Sequence, residues 1–416
     1  MRIVRWAGLF LIGVLAAAAQ HTPRFALHPG DRVVFYGDSI TDQRLYTIFT
    51  ETYVVTRFPQ LAVTFVHSGW GGDRVTGGAG GPIDVRLPRD VFAYHPTVLT
   101  IMLGMNDGGY KAFDQAAFDT YAAGYRHIVD AARQADPGVR ITVLQPSPYD
   151  DITRAPNFPG GYNVVLQRYS RFLADLAQTD HLGLADLNDP VVADLERAKE
   201  INPELAAKLI PDRVHPGPAG HWLMAEALLK AWHAPALVAA VTIDGASRKL
   251  SQASGAQVTA LSNTWPLTWT ELDQALPLPL NFKDPQIALA VHASDLLDAL
   301  DQEPLRVNGL APGHYKLTID DTAVGSFTQD ELAAGINLAT LPTPMSREAA
   351  KVYELTVAHA NVHNFRWRTL QVPFTVAPPP HLEDTLHSLD ELEAEIVAQQ
   401  HQAAQPQPHH FRLEAE

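Results

Sequence analysis

The chain has no cysteine among its 416 residues. Disulfides, thiol nucleophiles, thiolate zinc sites and iron–sulfur clusters are excluded together. An oxidising compartment is not excluded, because a domain with a large core needs no disulfide. Basic charge is scarce too: 31 Lys and Arg stand against 46 Asp and Glu, a formal net charge of −15. Nucleic acid is a poor partner for such a chain, since phosphate contacts need clustered Lys and Arg. After the first twenty residues no apolar run is long enough to span a bilayer. Charged residues make up only 19% and hydrophobic ones 46%, which is ample for a core and too little charge for a disordered chain. At about 150 residues per domain, the length suits two or three domains.

The first residues read as an address. Arg2 and Arg5 give a basic start, Trp6 to Ala19 is uncharged and mostly apolar, and Ala17-Ala18-Ala19 before Gln20 offers small residues for cleavage. Residues 1–19 thus have the parts of a secretory signal peptide. The alternative is a membrane anchor, but the run is shorter than the roughly 20 residues of a spanning helix. The expected mature protein is periplasmic or secreted, with no stable membrane insertion after cleavage.

From Phe25 to His233, short apolar runs alternate with amphipathic stretches. The runs are Arg32–Tyr36, Val63–Val66, Thr97–Leu103, Ile141–Leu144 and, more weakly, Leu182–Leu187. They suit strands buried on both faces. Phe118, Tyr121, Tyr125, Ile128 and Val129 have helical spacing, as does Val164 to Ala177. Alternating strand and helix predict an α/β layer with a parallel sheet over residues 25–235. Sites in such sheets form at the carboxyl ends of the strands.

After Pro235 the pattern changes to short alternating runs: Val241–Gly245, Gln257–Leu261, Leu305–Gly309, and a hairpin-like pair around Asp320-Asp321. A helix is predicted from Glu348 towards Val362, with Ser346 near its N-cap. Residues 236–378 therefore read as a smaller β-rich domain. Residues 379–416 read as a helical and mobile tail: Leu382, Leu386, Leu389, Leu392 and Ile396 have helical spacing, and Gln405 to His410 is rich in Pro, Gln and His. Packing of that helix on its own protein is favoured over a coiled coil, since it spans barely two heptads.

The chemistry-bearing segments follow the predicted strands. Gly37-Asp38-Ser39-Ile40-Thr41-Asp42 follows the first and puts a serine at a strand-to-helix turn, where the helix N-terminus favours developing negative charge. Asp38 and Ser39 are equally apt as plain capping residues. A serine nucleophile needs a base, and Asp212-Arg213-Val214-His215-Pro216 supplies a histidine with a carboxylate three residues earlier to fix its tautomer. Acyl transfer also needs donors for an oxyanion. Gly69-Trp70-Gly71-Gly72-Asp73 after the second strand allows close backbone approach, and Asn106 in Gly104-Met105-Asn106-Asp107-Gly108 after the third offers a side-chain amide.

Together these segments resemble the four blocks of the SGNH hydrolases, also called the GDSL esterase/lipase family, along about half the chain. The resemblance implies a three-layer α/β/α flavodoxin-like fold and a Ser39–His215–Asp212 triad. It also implies an oxyanion hole formed by the Ser39 and Gly72 N–H groups and the Asn106 side chain. One residue departs from the family: His67 stands where members often carry Asn at the start of the glycine block, which bears on a supporting hydrogen bond near the nucleophile. Supporting roles are open for Asp38, Asp42, Trp70, Arg74 and Gln145, and Tyr149 is a further candidate for substrate contact. Trp265, Trp269 and Trp367 offer a sugar-stacking platform or plain core. The histidines lack metal spacing: His215 and His221 are six apart and no His-Glu-x-x-His occurs, so neither metal nor cofactor is expected.

The function this predicts is a secreted serine esterase hydrolysing short-chain acyl esters, acetyl above all, on a small-molecule or glycan substrate through an acyl-Ser39 intermediate. The alternatives are a lipase or phospholipase, and an O-acyltransferase using the same triad. Oligomeric state is not legible.

Overall fold

The computed structural model describes residues 24–416. The signal-peptide expectation for residues 1–19 lies outside them. The first half runs β1 (Arg32–Gly37), α1 (Ser39–Asp42), α2 (Leu45–Arg57), β2 (Thr64–Gly69), a ribbon of β3 and β4 (Gly77–Gly78, Gly81–Pro82), α3 (Ile83–Asp90), β5 (Val98–Met102), α4 (Gln115–Ala135), β6 (Arg140–Leu144), α5 (Asn163–Asp180), β7 (Gly183–Ala185), α6 (Asp189–Ile201), α7 (Pro203–Ala206) and α8 (Pro218–Ala231).

Five of these strands form one parallel sheet in the order β2-β1-β5-β6-β7. β1 and β5 are buried almost end to end, as their unbroken apolar runs require. Helices cover both faces. On one, α2 packs against α8, with Phe49 and Trp222 stacked at 4.0 Å. On the other, α4 and α5 meet through Tyr121 and Tyr169, stacked at 4.3 Å. This is the three-layer α/β/α flavodoxin-like arrangement, and its strand order brings the ends of β2, β1 and β5 side by side.

The second half holds β8 (Ala240–Asp244), β9 (Lys249–Ser254), β10 (Ala256–Thr259), β11 (Leu267–Asp273), α9 (Pro285–Ala293), α10 (Leu296–Leu300), β12 (Pro304–Asn308), β13 (His314–Ile319), β14 (Thr322–Thr328), α11 (Gln329–Ala334), β15 (Ile336–Asn337), α12 (Pro344–Asn364), α13 (Leu382–Ala403) and β16 (His409–Ala415). They build two sheets, ordered β10-β11-β16-β13-β14 and β15-β12-β8-β9. The alternating runs read from the sequence are strands, and β13–β14 is an antiparallel pair.

Two expectations change here, the mobile tail and the start of the helix near 348, while the choice left open for the tryptophans falls to core packing for two of the three. The last residues are not mobile: β16 is the middle strand of its sheet, paired with both β11 and β13. Its apolar residues alternate, and Phe411 and Leu413 are buried, so the Pro/Gln/His-rich run before it is a linker into a core strand. The tryptophans form no platform. Trp269 and Trp367 are fully buried, Trp269 stacked on Phe411 at 5.0 Å, and only Trp265 is exposed. The helix near 348 starts earlier than predicted, because Thr343, not Ser346, caps it: Thr343 Oγ1 accepts the Ser346 N–H at 3.1 Å. It runs on through a π-helical turn at Phe365–Gln371, and α13 folds back along it. Among the described residues, no helix is long and apolar enough to cross a membrane.

Candidate active site

β1 ends at Gly37, and Asp38 caps the short helix α1 by accepting the Ile40 N–H at 3.0 Å. Burial pushes the Asp38 carboxyl up to about 7, with Asp107 and Asp73 adding in the same direction. This turn leaves Ser39 half-buried at the carboxyl edge of the sheet.

The Asp212–His215 segment approaches from the loop before α8. Arg213 takes a left-handed conformation, φ 74°, which lets the chain double back. The strain is held by the adjacent loop: the Asp150 N–H donates to Arg213 O at 2.9 Å, and Arg213 Nη1 donates to Asp150 O at 3.0 Å. In the turn, Asp212 Oδ1 accepts the Val214 and His215 N–H groups at 2.9 and 2.7 Å. Asp212 Oδ2 lies 2.7 Å from His215 Nδ1, and His215 Nε2 lies 2.8 Å from Ser39 Oγ. With the carboxylate ionised, Nδ1 carries the ring proton and Nε2 is free to accept from the serine hydroxyl. Burial alone would raise the Asp212 pKa, but the N–H and ring bonds from His215 hold it below the ordinary range. The site is open: the Asp212 and His215 side chains are 55% and 35% exposed.

The glycine block lies against this pair. β2 ends at Gly69, where a Cβ would meet the Asp42 nitrogen at 2.2 Å, so only glycine fits. Gly71 donates its N–H to Asp42 Oδ2 at 3.1 Å, and a Cβ there would be 4.0 Å from the Ser39 Cβ. Gly72 has φ +77°, a conformation glycine adopts without cost. Among the described residues, no acceptor takes its N–H or that of Ser39.

Asn106 is oriented from both ends. Its Nδ2 donates to Asp73 O at 3.0 Å, and Tyr110 donates its hydroxyl to Oδ1 at 2.8 Å. One amide N–H remains for another acceptor. Asp107 accepts the Val75 N–H at 3.0 Å, tying this loop to the glycine block, and burial raises its carboxyl to about 6.

The supporting candidates divide. Asp38 and Asp42 hold the serine turn and the glycine loop. Trp70 is buried; its ring packs against Arg368, whose guanidinium carbon lies 3.3 Å from the ring centroid, and edge-on against Trp367. It is packing for the loop rather than a pocket wall. Arg74 is exposed and makes no side-chain hydrogen bond among the described residues. Gln145 is turned away, its amide donating to Ser170 O of α5 at 3.0 Å. Tyr149 is buried and accepts from Asn157 at 2.7 Å. Sequence reasoning missed Tyr110 and Arg368. Tyr110 stands four residues after Asn106 without a motif of its own, and Arg368 is some 260 residues further on and carried no motif either.

His67 is fully buried at the sheet's edge, with Nδ1 2.7 Å from Thr47 Oγ1 and Nε2 2.9 Å from Glu51 Oε2. Glu51 Oε1 also meets His359 Nδ1 and Gln400 Nε2, each at 2.9 Å, and His359 Nε2 lies 3.1 Å from Glu393. The ligand atoms of Glu51, His67 and His359 lie within 4.8 Å of one another, a donor set that suits a zinc-like ion. Each donor is already hydrogen-bonded within the cluster, so the group is complete as a network linking α2 and β2 to α12 and α13.

Residues 35–223 match the model of the GDSL-like Lipase/Acylhydrolase family. An acetylxylan esterase of Geobacillus stearothermophilus is 24% identical over 226 residues, covering 48% of this chain and 93% of that protein. The solved structure of that organism's acetylxylan esterase covers 50% of this chain and 96% of its own, at 23% identity and a TM-score of 0.41. The structure of a gut microbial diltiazem-metabolizing enzyme superposes with a TM-score of 0.81 at 24% identity, covering 94% of this chain and 98% of that one. The fold is thus shared from the first layer to the C-terminal sheet.

Proposed function

Residues 35–223 belong to the GDSL-like lipase/acylhydrolase family and the chain is a carboxylic ester hydrolase, and from this premise we propose an exported serine esterase that removes short acyl groups, acetyl above all, from carbohydrate. The reading rests on one line of hydrogen bonds, Asp212 to His215 at 2.7 Å and His215 to Ser39 at 2.8 Å. The carbohydrate class draws on the likeness to an acetylxylan esterase. Export draws on the basic start and apolar run of residues 1–19.

In the proposed mechanism His215 Nε2 takes the Ser39 proton as Oγ attacks the ester carbonyl. The carbonyl becomes a tetrahedral oxyanion, received by the free N–H groups of Ser39 and Gly72 and the remaining N–H of Asn106. Imidazolium, steadied by Asp212, returns the proton to the departing alkoxide, and an alcohol leaves. Water then attacks acyl-Ser39 with His215 again as base, releasing the carboxylic acid. No step asks for a metal or cofactor.

The test is Ser39→Ala, assayed on aryl acetates and on acetylated xylo-oligosaccharides. We expect loss of at least about 10³ in turnover with the fold intact, since binding and oxyanion donors alone leave only residual catalysis. A fluorophosphonate should label Ser39 in the parent alone. Near-parental turnover by the variant would overturn the assignment. Faster turnover of long-chain than of acetyl esters would move the reading to a lipase, and acetyl transfer to sugar acceptors outrunning hydrolysis would move it to an acyltransferase.

A further inference from the structure

The glycine loop between Gly69 and Gly72 is held from outside by a part of the chain that lies beyond the hydrolase domain. Arg368 sits on the π-helical turn Phe365–Gln371 that extends α12. Its guanidinium carbon lies 3.3 Å from the centre of the Trp70 ring. Its Nη1 lies 3.5 Å from both Asp42 Oδ1 and Gly69 O. Arg86 backs the same indole at 5.0 Å, and Trp367 packs edge-on at 5.7 Å.

These contacts meet at the elements that set the site. Asp42 closes α1, the helix that begins with Ser39, and its other carboxylate oxygen accepts the Gly71 N–H at 3.1 Å. The Trp70 N–H donates to Gly37 O at 2.9 Å, at the end of β1. Arg368 therefore bridges the serine turn and the glycine loop, the two pieces of backbone whose N–H groups face the reacting oxygen in the proposed mechanism. A planar guanidinium suits this place: it stacks on an indole face and reaches a carboxylate and a carbonyl from one plane, which an ammonium does not do.

We propose that Arg368 is a positioning residue for the oxyanion hole, fixing the Gly69–Gly72 loop against the Ser39 turn through Trp70, Asp42 and the Gly69 carbonyl. This rests on the serine-esterase reading above. Arg368 makes no contact with Ser39 or His215 and holds no proton in the reaction. A misplacement of about 1 Å in such a site costs up to about 10² in rate. Its loss acts on the transition state, whose oxyanion needs the donors in register, more than on the ground-state ester.

The experiment compares Arg368→Ala, Arg368→Lys and Arg368→Met in the full chain on an aryl acetate, with Ser39→Ala alongside. Active sites are titrated with a fluorophosphonate so that kcat is expressed per reactive serine. We expect kcat per labelled site to fall about 10- to 100-fold in all three, with KM changed less than about threefold. Affinity for an aryl boronic acid, a tetrahedral mimic, should weaken by a similar factor. Arg368→Met keeps an unbranched stem over Trp70 and stands in if Arg368→Ala does not fold. Parental kcat per labelled site in the folded variants would overturn the proposal, and so would a loss that matches only the drop in labelled sites. If Ser39→Ala keeps turnover, the esterase reading falls; if it is inactive while the Arg368 variants are unimpaired, only the role of Arg368 falls.

Discussion

At the residue scale, Asn106 and Tyr110 separate the proposed oxyanion donor from the group that aims it. The Asn106 amide spends one N–H on Asp73 O and has its oxygen fixed by the Tyr110 hydroxyl, so its second N–H points one way only. Asn106→Ala should lower kcat by about 10²–10³, the range for losing one oxyanion donor, with KM little changed. Equal loss in substrate binding and turnover would argue against the donor role. Tyr110→Phe keeps the ring and removes one hydrogen bond, worth about 0.5–1.5 kcal/mol, so kcat should drop about 2- to 10-fold. A drop as large as that of Asn106→Ala would mean the hydroxyl itself meets the substrate. The blocks carrying Ser39, Gly72, Asn106, Asp212 and His215 were legible because each is a local run whose residue types fit one chemistry. Tyr110 was not singled out, because a lone tyrosine in a loop has no spacing to mark it. Gln145 sits at the expected strand end with its amide turned to Ser170 O, because a strand end fixes the edge a residue sits on, not the side its amide takes.

At the element scale, the α12–α13 hairpin is joined to the hydrolase layer by a buried charge network. Burial would lower the His359 pKa, but the Glu51 and Glu393 carboxylates overcome it and raise the group from 6.5 to about 10. Burial likewise opposes ionisation of Glu51, and His359 draws it from 4.5 down to about 2. The signs give a window. The raised imidazolium contributes in full below pH 6.5 and is lost as pH rises through about 10. The depressed carboxylate contributes in full above pH 4.5 and is lost as pH falls towards 2. Breaking a buried pair costs about 3–5 kcal/mol, so His359→Gln should lower Tm most near pH 6, and the gap to the parent should close above pH 10. A gap independent of pH between 6 and 10.5 would show that His359 acts by packing alone. None of this network was legible. His67 was noted only as a departure from a pattern, and its partners come from α2, α12 and α13, far apart in the chain.

At the scale of the whole molecule, the chain closes on itself. The parallel sheet could be read from five apolar runs because strands buried on both faces leave an unbroken signal. The tail could not: seven residues alternating behind a polar linker look like an end, and only the sheet shows that β11 and β13 have no other partner on that side. β16 also brings Phe411 onto Trp269 and Leu413 into the same core. The hydrolase layer is bound in the same way. Arg57 on α2 donates to Leu300 O and pairs with the buried Asp301, and Tyr353 of α12 packs on Phe49, 6.0 Å between ring centres. A chain ending after residue 403 leaves two neighbouring strands with open edges and an empty place in the core, a known route to association. It should be recovered mostly aggregated, or with Tm lowered by well over 10 °C, by light scattering and calorimetry. A chain ending near Pro235 loses in addition the helix that carries Arg368, Trp367 and His359. It should hydrolyse aryl acetates at least about tenfold more slowly per labelled serine, the loss set by the same loop that Arg368 holds. A monomeric piece of that length with parental kcat would show that the hydrolase layer is self-sufficient, and that the C-terminal half serves something other than its catalytic geometry.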